Sequence, residues 1–352
     1  MTMTPSTLTL ATGEIFAGHS PDWQLEPYFG EVVFTTGMTG YVESLTDPSF
    51  AGQILVFTYP IIGNYGVPDK SKWDSDRIQV AGVVIGNLCS SPSHLDSQQS
   101  LLQWLQYHRT PLITDVDTRE LTKRLRRTGP APGAIVIGRQ PSKFFDPNQL
   151  DLVETATCQN IQTYGEGSKR IIAVDCGMKE SILRQLLPFP IEIVRVPYDY
   201  DYANEPFDGL FISNGPGDPA KCTKTIEILQ RALLKQKPTF GICLGAQILA
   251  LAIGGKTHKL QFGHRGQNHP CRNEETQQCI LTSQNHGYAI DKNSLPKDWK
   301  ITFTSLNDQS IEGIAHKTLP FSAVQFHPEA CPGPTDAAYL IEVFAKQVLG
   351  ES

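Results

Sequence analysis

Short runs of consecutive apolar residues recur along the chain, and what separates them changes near residue 169. Before that point, β-like runs at 30–35, 53–58, 78–85 and 133–137 are mixed with helical patterns at 100–108 and 119–127. This predicts a sheet-rich α/β domain over residues 1–150. The polar run 154–169 reads as a connector, so a linker is placed at 151–168 and a second domain at 169–352. There the order becomes regular: strand 170–174 and helix 179–187, strand 191–196, strand 209–212 and helix 222–234, strand 239–242 and helix 244–253. Such alternation predicts an open, mostly parallel sheet with helices on both faces. Later β-like runs at 279–282, 301–306, 311–315 and 322–326 continue that sheet or add a smaller one, and 336–349 reads as a closing helix.

One junction in this pattern carries chemistry. The run Pro238-Thr239-Phe240-Gly241-Ile242-Cys243-Leu244-Gly245-Ala246-Gln247 puts a cysteine between a predicted strand and a predicted helix, framed by glycines. A sharp strand-to-helix turn presents its central side chain at the top of a sheet, and the helix N-terminus favours a thiolate and a developing oxyanion. The structural alternative is a buried cysteine in a packed corner. About eighty residues on, Gln325-Phe326-His327-Pro328-Glu329 supplies a histidine at a strand end and a carboxylate two residues later that can orient the imidazole. Cys243, His327 and Glu329 together make a candidate catalytic triad.

Two phosphate-binding patterns are decoys. Gly215-Pro216-Gly217-Asp218-Pro219-Ala220 fits a dinucleotide fingerprint, but Asp218 would repel a pyrophosphate and two prolines remove donors. Gly255-Lys256-Thr257 has Ala250 where a P-loop needs glycine.

The Gly-Ile-Cys-Leu-Gly-x-Gln turn, the His-Pro-Glu segment and the loop Phe211-Ile212-Ser213-Asn214-Gly215-Pro216-Gly217-Asp218-Pro219 resemble the triad-type (class I) glutamine amidotransferases. Residues 34–66, with Phe34-Thr35-Thr36-Gly37-Met38-Thr39-Gly40-Tyr41 at their head, resemble the amino-terminal domain of carbamoyl phosphate synthetase small subunits. Phe262–Pro270, Ser283–Tyr288 and Pro332-Gly333-Pro334 add further matches, so the resemblance covers nearly the whole chain. One departure is Ala246, where relatives often carry histidine.

The resemblance implies a flavodoxin-like carboxy-terminal fold and hydrolysis of glutamine through a glutamyl thioester on Cys243. It implies oxyanion N–H groups from Gly217 and Leu244, and glutamine contacts from Ser49, Gly215, Gly217, Gln247, Asn285, Gly287 and Tyr288. Ammonia would pass to a large synthetase subunit that uses ATP, with magnesium, and bicarbonate to make carbamoyl phosphate for arginine and pyrimidine synthesis. No cofactor is expected on this chain, and its end at Ser352 is read as calling for an external partner. Two other functions use the same features: a stand-alone cysteine hydrolase of γ-glutamyl substrates, and a non-catalytic regulatory subunit. The amino-terminal block argues against the first and the intact triad against the second.

Bulk properties narrow the field further. A chain of 352 residues suggests two domains, and the net charge of −6 without a Lys/Arg block argues against nucleic-acid or anionic-membrane partners. The amino-terminal residues lack a basic, then apolar, secretory pattern, and no apolar run approaches a membrane span, so a cytoplasmic location is expected. Eight cysteines without a C-x-x-C pair read as free thiols in a reducing compartment. Histidines 258, 264, 269 and 286 cluster in sequence, but no carboxylate-bearing ligand spacing accompanies them and no metal site is assigned.

Overall fold

The first apolar runs pair into strands. The computed structural model describes residues 2–351, which divide into two units between Leu150 and Asp151. In the first unit the strands are β1 (Met3–Leu10), β2 (Ile15–Pro21), β3 (Tyr28–Thr35), β4 (Gln53–Phe57), β5 (Ile61–Ile62), β6 (Gly82–Val84), β7 (Asn87–Leu88), β8 (Leu112–Ile113) and β9 (Ala131–Val136). Among the described residues, seven of them form one sheet in the order β2-β1-β9-β3-β4-β6-β8, parallel from β3 to β8 and antiparallel elsewhere, while β5 and β7 pair separately. Helix Leu101–Tyr107 starts where the sequence places it, because Ser100 and Gln103 form a reciprocal capping box. Its Trp104 packs edge-on against Trp73 within a cluster built from Val33, Leu55, Val83 and Leu105.

Among the described residues, the second unit is built on a ten-stranded sheet. Its strands are β10 (Gln162–Tyr164), β11 (Lys169–Asp175), β12 (Ile191–Pro197), β13 (Gly209–Ile212), β14 (Thr239–Ile242), β15 (Thr257–Asn273), β16 (Cys279–Ile290), β17 (Trp299–Ser305), β18 (Ile311–His316) and β19 (Phe321–Val324), in the order β10-β12-β11-β13-β14-β19-β18-β17-β15-β16. The five strands from β12 to β19 are parallel. Consecutive residues of β11 feed opposite cores, Ile171 and Ala173 one, Ile172 and Val174 the other, so the strand reads as an unbroken apolar run. Helices Thr223–Leu233 and Leu244–Ala252 supply the core of Ile172 and Val174, and Glu180–Leu186 and Tyr339–Leu349 that of Ile171 and Ala173, which puts helices on both faces.

Of the two courses the sequence leaves open, the late strands continue the sheet, antiparallel from β18 through β17 and β15 to β16. The stretch read as a linker holds a helix and a strand. Asp151 caps helix Leu152–Ala156 by accepting from the Val153 N–H, and β10 joins the sheet edge antiparallel to β12. Strand β10 is only Gln162-Thr163-Tyr164, with no buried residue, so neither an apolar run nor an alternation marks it in the sequence.

Candidate active site

Cys243 follows β14 and caps helix Leu244–Ala252, with φ 53° and ψ −104°. A non-glycine residue there stores on the order of 1–3 kcal/mol of backbone strain, which surrounding packing must hold. Two glycines make the turn possible. A Cβ on Gly245 would sit 2.2 Å from the Ile212 carbonyl oxygen, and one on Gly241 would sit 2.7 Å from the Gly245 oxygen. The Cys243 N–H donates to Val324 O at 2.8 Å, tying the turn to β19, the strand that leads to His327.

The segment after β19 is fixed by its own backbone. His327 N–H donates to Ser283 O at 2.9 Å, which docks it against β16. The His327 Nδ1 is 2.6 Å from Glu329 Oε1, so Nδ1 carries a hydrogen and the tautomer leaves Nε2 directed elsewhere. Nε2 is buried with no hydrogen-bond partner among the described residues by distance and angle, while the Cys243 sulfur, which acts on this imidazole, points its S–H at the Asn285 carbonyl oxygen, 3.7 Å away. A free imidazole nitrogen next to a thiol is the arrangement proton transfer needs.

Electrostatics explain how this carboxylate stays ionised. Burial pushes the Glu329 carboxyl up, but the ammonium of Lys179 and the His327 imidazole outweigh it and hold it well below the usual range. Burial likewise disfavours the His327 imidazolium, but Glu329 and then Cys243 lift its pKa above the ordinary histidine value. Lys179 is itself buried, its Nζ 3.0 Å from Glu329 Oε1 and donating to the carbonyl oxygens of Ala330 at 2.8 Å and Cys331 at 2.7 Å. Sequence reasoning missed Lys179 and took it as the first residue of a helix. The usable signal was its place just past the carboxyl end of β11, where open α/β sheets gather functional groups.

The expected glutamine-binding residues distribute as follows. Gln247, one turn into the helix, donates to Tyr288 O at 2.8 Å and to Gln325 Oε1 at 3.0 Å. Asn285, Gly287 and Tyr288 all lie on β16, and the Asn285 carbonyl faces the Cys243 sulfur. Gly215 and Gly217 lie on the loop after β13, where Gly217 has φ +89° and a Cβ on Gly215 would meet the Cys176 oxygen at 2.0 Å. Leu244 follows the cysteine, among the helix N–H groups that lack intrahelical partners. Ser49 belongs to the first unit, on the buried turn Pro48–Phe50, where Asp47 accepts its N–H at 2.9 Å; its assignment to substrate stays with the sequence resemblance.

The eight cysteines are free thiols. Burial pushes Cys158 and Cys222 up to about 12 and Cys176 well above its ordinary value, which makes them poor nucleophiles. Among the described residues, no helix is long and apolar enough to cross a membrane.

Two family descriptions match, and they tile the chain. Carbamoyl-phosphate synthase small chain, CPSase domain, covers residues 8–135, and Glutamine amidotransferase class-I covers residues 172–347. A carbamoyl phosphate synthase arginine-specific small chain from Aspergillus oryzae is 44% identical over 97% of this chain and 80% of its own length. The one from Schizosaccharomyces pombe is 43% identical over 98% of this chain and 87% of its own. The multifunctional protein CAD of Squalus acanthias is 49% identical over 90% of this chain, which spans only 15% of that much longer protein.

Proposed function

The chain belongs to the carbamoyl phosphate synthase small-chain family, and we propose on that footing that it is the glutamine-hydrolysing subunit of a carbamoyl phosphate synthase. The observation that carries the mechanism is the partner-free His327 Nε2 beside the Cys243 sulfur, with Nδ1 held by Glu329. Nε2 takes the thiol proton as sulfur attacks the amide carbon of glutamine, and returns it to the departing nitrogen as ammonia leaves. The product is a glutamyl thioester on Cys243. Water deprotonated by the same nitrogen attacks the thioester, releasing glutamate and restoring the thiol. The tetrahedral oxyanion of each half-reaction is stabilised by the N–H groups of Leu244 and Gly217.

The remaining assignments rest on the family membership. Gly215, Gln247, Asn285, Gly287, Tyr288 and Ser49 bind glutamine, and residues 1–150 present a surface to a large subunit. That subunit receives the ammonia and performs the ATP- and magnesium-dependent steps with bicarbonate, so this chain needs no cofactor, and the product serves arginine and pyrimidine synthesis in the cytoplasm. The match of relatives across both halves of the chain favours this reading over a stand-alone hydrolase. The test is steady-state glutamate release with and without a large subunit turning over ATP. Glutamate release that rises with the partner, coupled to carbamoyl phosphate, supports it; full activity indifferent to the partner defeats it.

A further inference from the structure

The carboxylate that the histidine cluster lacks in sequence is supplied by β18. His264 on β15, His286 on β16 and Glu312 on β18 are all buried, and one donor atom from each falls within 4.8 Å of the others. His264 Nδ1 is 3.3 Å and His286 Nε2 3.9 Å from the same atom, Glu312 Oε1. Ligands about 2.0–2.1 Å from a tetrahedral zinc ion stand roughly 3.3 Å apart, so the first pair already has that spacing, the second closes to it by about half an ångström, and the two imidazole nitrogens, within 4.8 Å, draw together by up to about 1.5 Å.

The outer nitrogen of each ring is already occupied. His264 Nε2 is 2.8 Å from Asp308 Oδ2, and His286 Nδ1 donates to the Tyr288 carbonyl at 2.8 Å. A carboxylate or backbone carbonyl on the far nitrogen is the support that metal-bound histidines use, and it turns the other lone pair inward. Inside the cluster one acceptor pair is left facing: with Nδ1 of His286 donating outward, its Nε2 lone pair meets an amide oxygen. His264 Nδ1 is buried and makes no hydrogen bond despite its closeness to Glu312, and His286 Nε2 is 3.1 Å from Gln284 Oε1, itself an acceptor. Gln284 cannot relieve this by turning its amide, because its Nε2 donates to Glu312 Oε2 at 3.0 Å. In the metal-free protein a proton on His264 can fill the gap to Glu312, and an ion of the zinc type would displace it.

We propose that His264 Nδ1, His286 Nε2 and Glu312 Oε1 bind one divalent transition-metal ion of the zinc type, with Gln284 Oε1 beside the fourth position, as a structural clasp across β15, β16 and β18. Entry is from the Asp308 side, where that side chain is 41% exposed. The clasp stands behind the strand that carries Asn285, Gly287 and Tyr288, and so braces one wall of the amidotransferase pocket.

The test uses the full chain carrying Cys243→Ser, so that the catalytic thiol does not compete for metal. After dialysis against a chelator, zinc is titrated by calorimetry and cobalt(II) by its visible d–d bands. One equivalent of zinc is expected, with affinity falling at least ~100-fold in Glu312→Gln and ~10- to 100-fold in Asp308→Asn. Should Glu312→Gln fail to fold by circular dichroism, the half-exposed Asp308→Asn decides the matter. No stoichiometric binding, or binding undiminished in both variants, would overturn the site. Binding lost instead with His19→Ala or Cys279→Ser would place the ion elsewhere and overturn it equally.

Discussion

The triad and the His264 cluster are both buried groups of imidazole and carboxylate on one sheet, yet their charges are balanced in opposite ways. At the triad, a buried cation, Lys179, anchors Glu329, Glu329 holds Nδ1 of His327, and Nε2 is left without a partner next to a thiol. At the cluster, anchors sit on the outer nitrogens and the inner ones converge on Glu312. Similar groups thus leave an imidazole nitrogen open beside a thiol in one place and enclose a carboxylate between two imidazoles in the other. What decides between them is where the compensating positive charge enters, behind the carboxylate or at the centre.

The largest effect expected at the triad is from Cys243→Ser. In the complex with a large subunit, glutamine-dependent carbamoyl phosphate formation should fall by at least ~1,000-fold while synthesis from added ammonium salts persists, because only the nucleophile is weakened. Retained use of glutamine would dissolve the contrast. His327→Asn should follow, lowering thioester formation and breakdown together by ~100-fold or more, since one nitrogen serves both. Glu329→Gln should cost less, keeping an acceptor for Nδ1 but losing the charge that favours the imidazolium. Rapid-quench measurement of both half-reactions tests this order, and a greater loss in Glu329→Gln would reverse it.

Lys179→Met sharpens the comparison by removing the charge from behind the carboxylate. Glu329 is held low in the fold, so its ionised form contributes stability above the usual carboxylate range that is lost only as pH falls through its lowered value. Without the ammonium that value rises, and the acid limb of the kcat/KM profile for glutamine hydrolysis should move to higher pH, with a loss of ~10-fold near neutrality. Breaking a buried pair also costs about 3–5 kcal/mol of stability, so assays belong well below the melting temperature. An unmoved acid limb would show that Lys179 acts only in packing.

How legible these parts were in sequence follows from what buries them. The Cys243 turn announces itself because glycines, apolar strand and helix are contiguous, and the parallel strands because apolar residues on both faces make unbroken runs. Lys179 was invisible, since its burial depends on Glu329 and two carbonyl groups 150 to 152 residues away. Strand β15 was obscured for a related reason. Its adjacent residues His264 and Arg265 are both buried, held by Asp308 and by the Phe262 carbonyl rather than by apolar packing, and register shifts interrupt its pairing with β16. A strand buried through polar pairing shows no alternation of apolar and polar residues. Glu312 could not be joined to the histidines by spacing, because strand order alone brings β18 to β15 through β17.

The smallest effect concerns the cluster in metal-free protein and runs opposite in pH to that of Glu329. Burial disfavours a charged His264, but the hydrogen bonds and charges of Asp308 and Glu312 outweigh it and lift it from 6.5 to about 9. A histidine raised in the fold contributes stability that is complete below about 6.5 and disappears as pH climbs through about 9. Asp308→Asn removes one of the two carboxylates, and because Asp308 is 41% exposed its share is discounted to ~1 kcal/mol or less. That corresponds to a melting temperature lower by roughly 2–4 °C at pH 6, shrinking towards zero by pH 10. Thermal melts of chelator-treated wild type and variant at the two pH values read the difference directly. Equal losses at both would mean that Asp308 holds His264 as a neutral acceptor only, and that the cluster, unlike the triad, carries no resting positive charge.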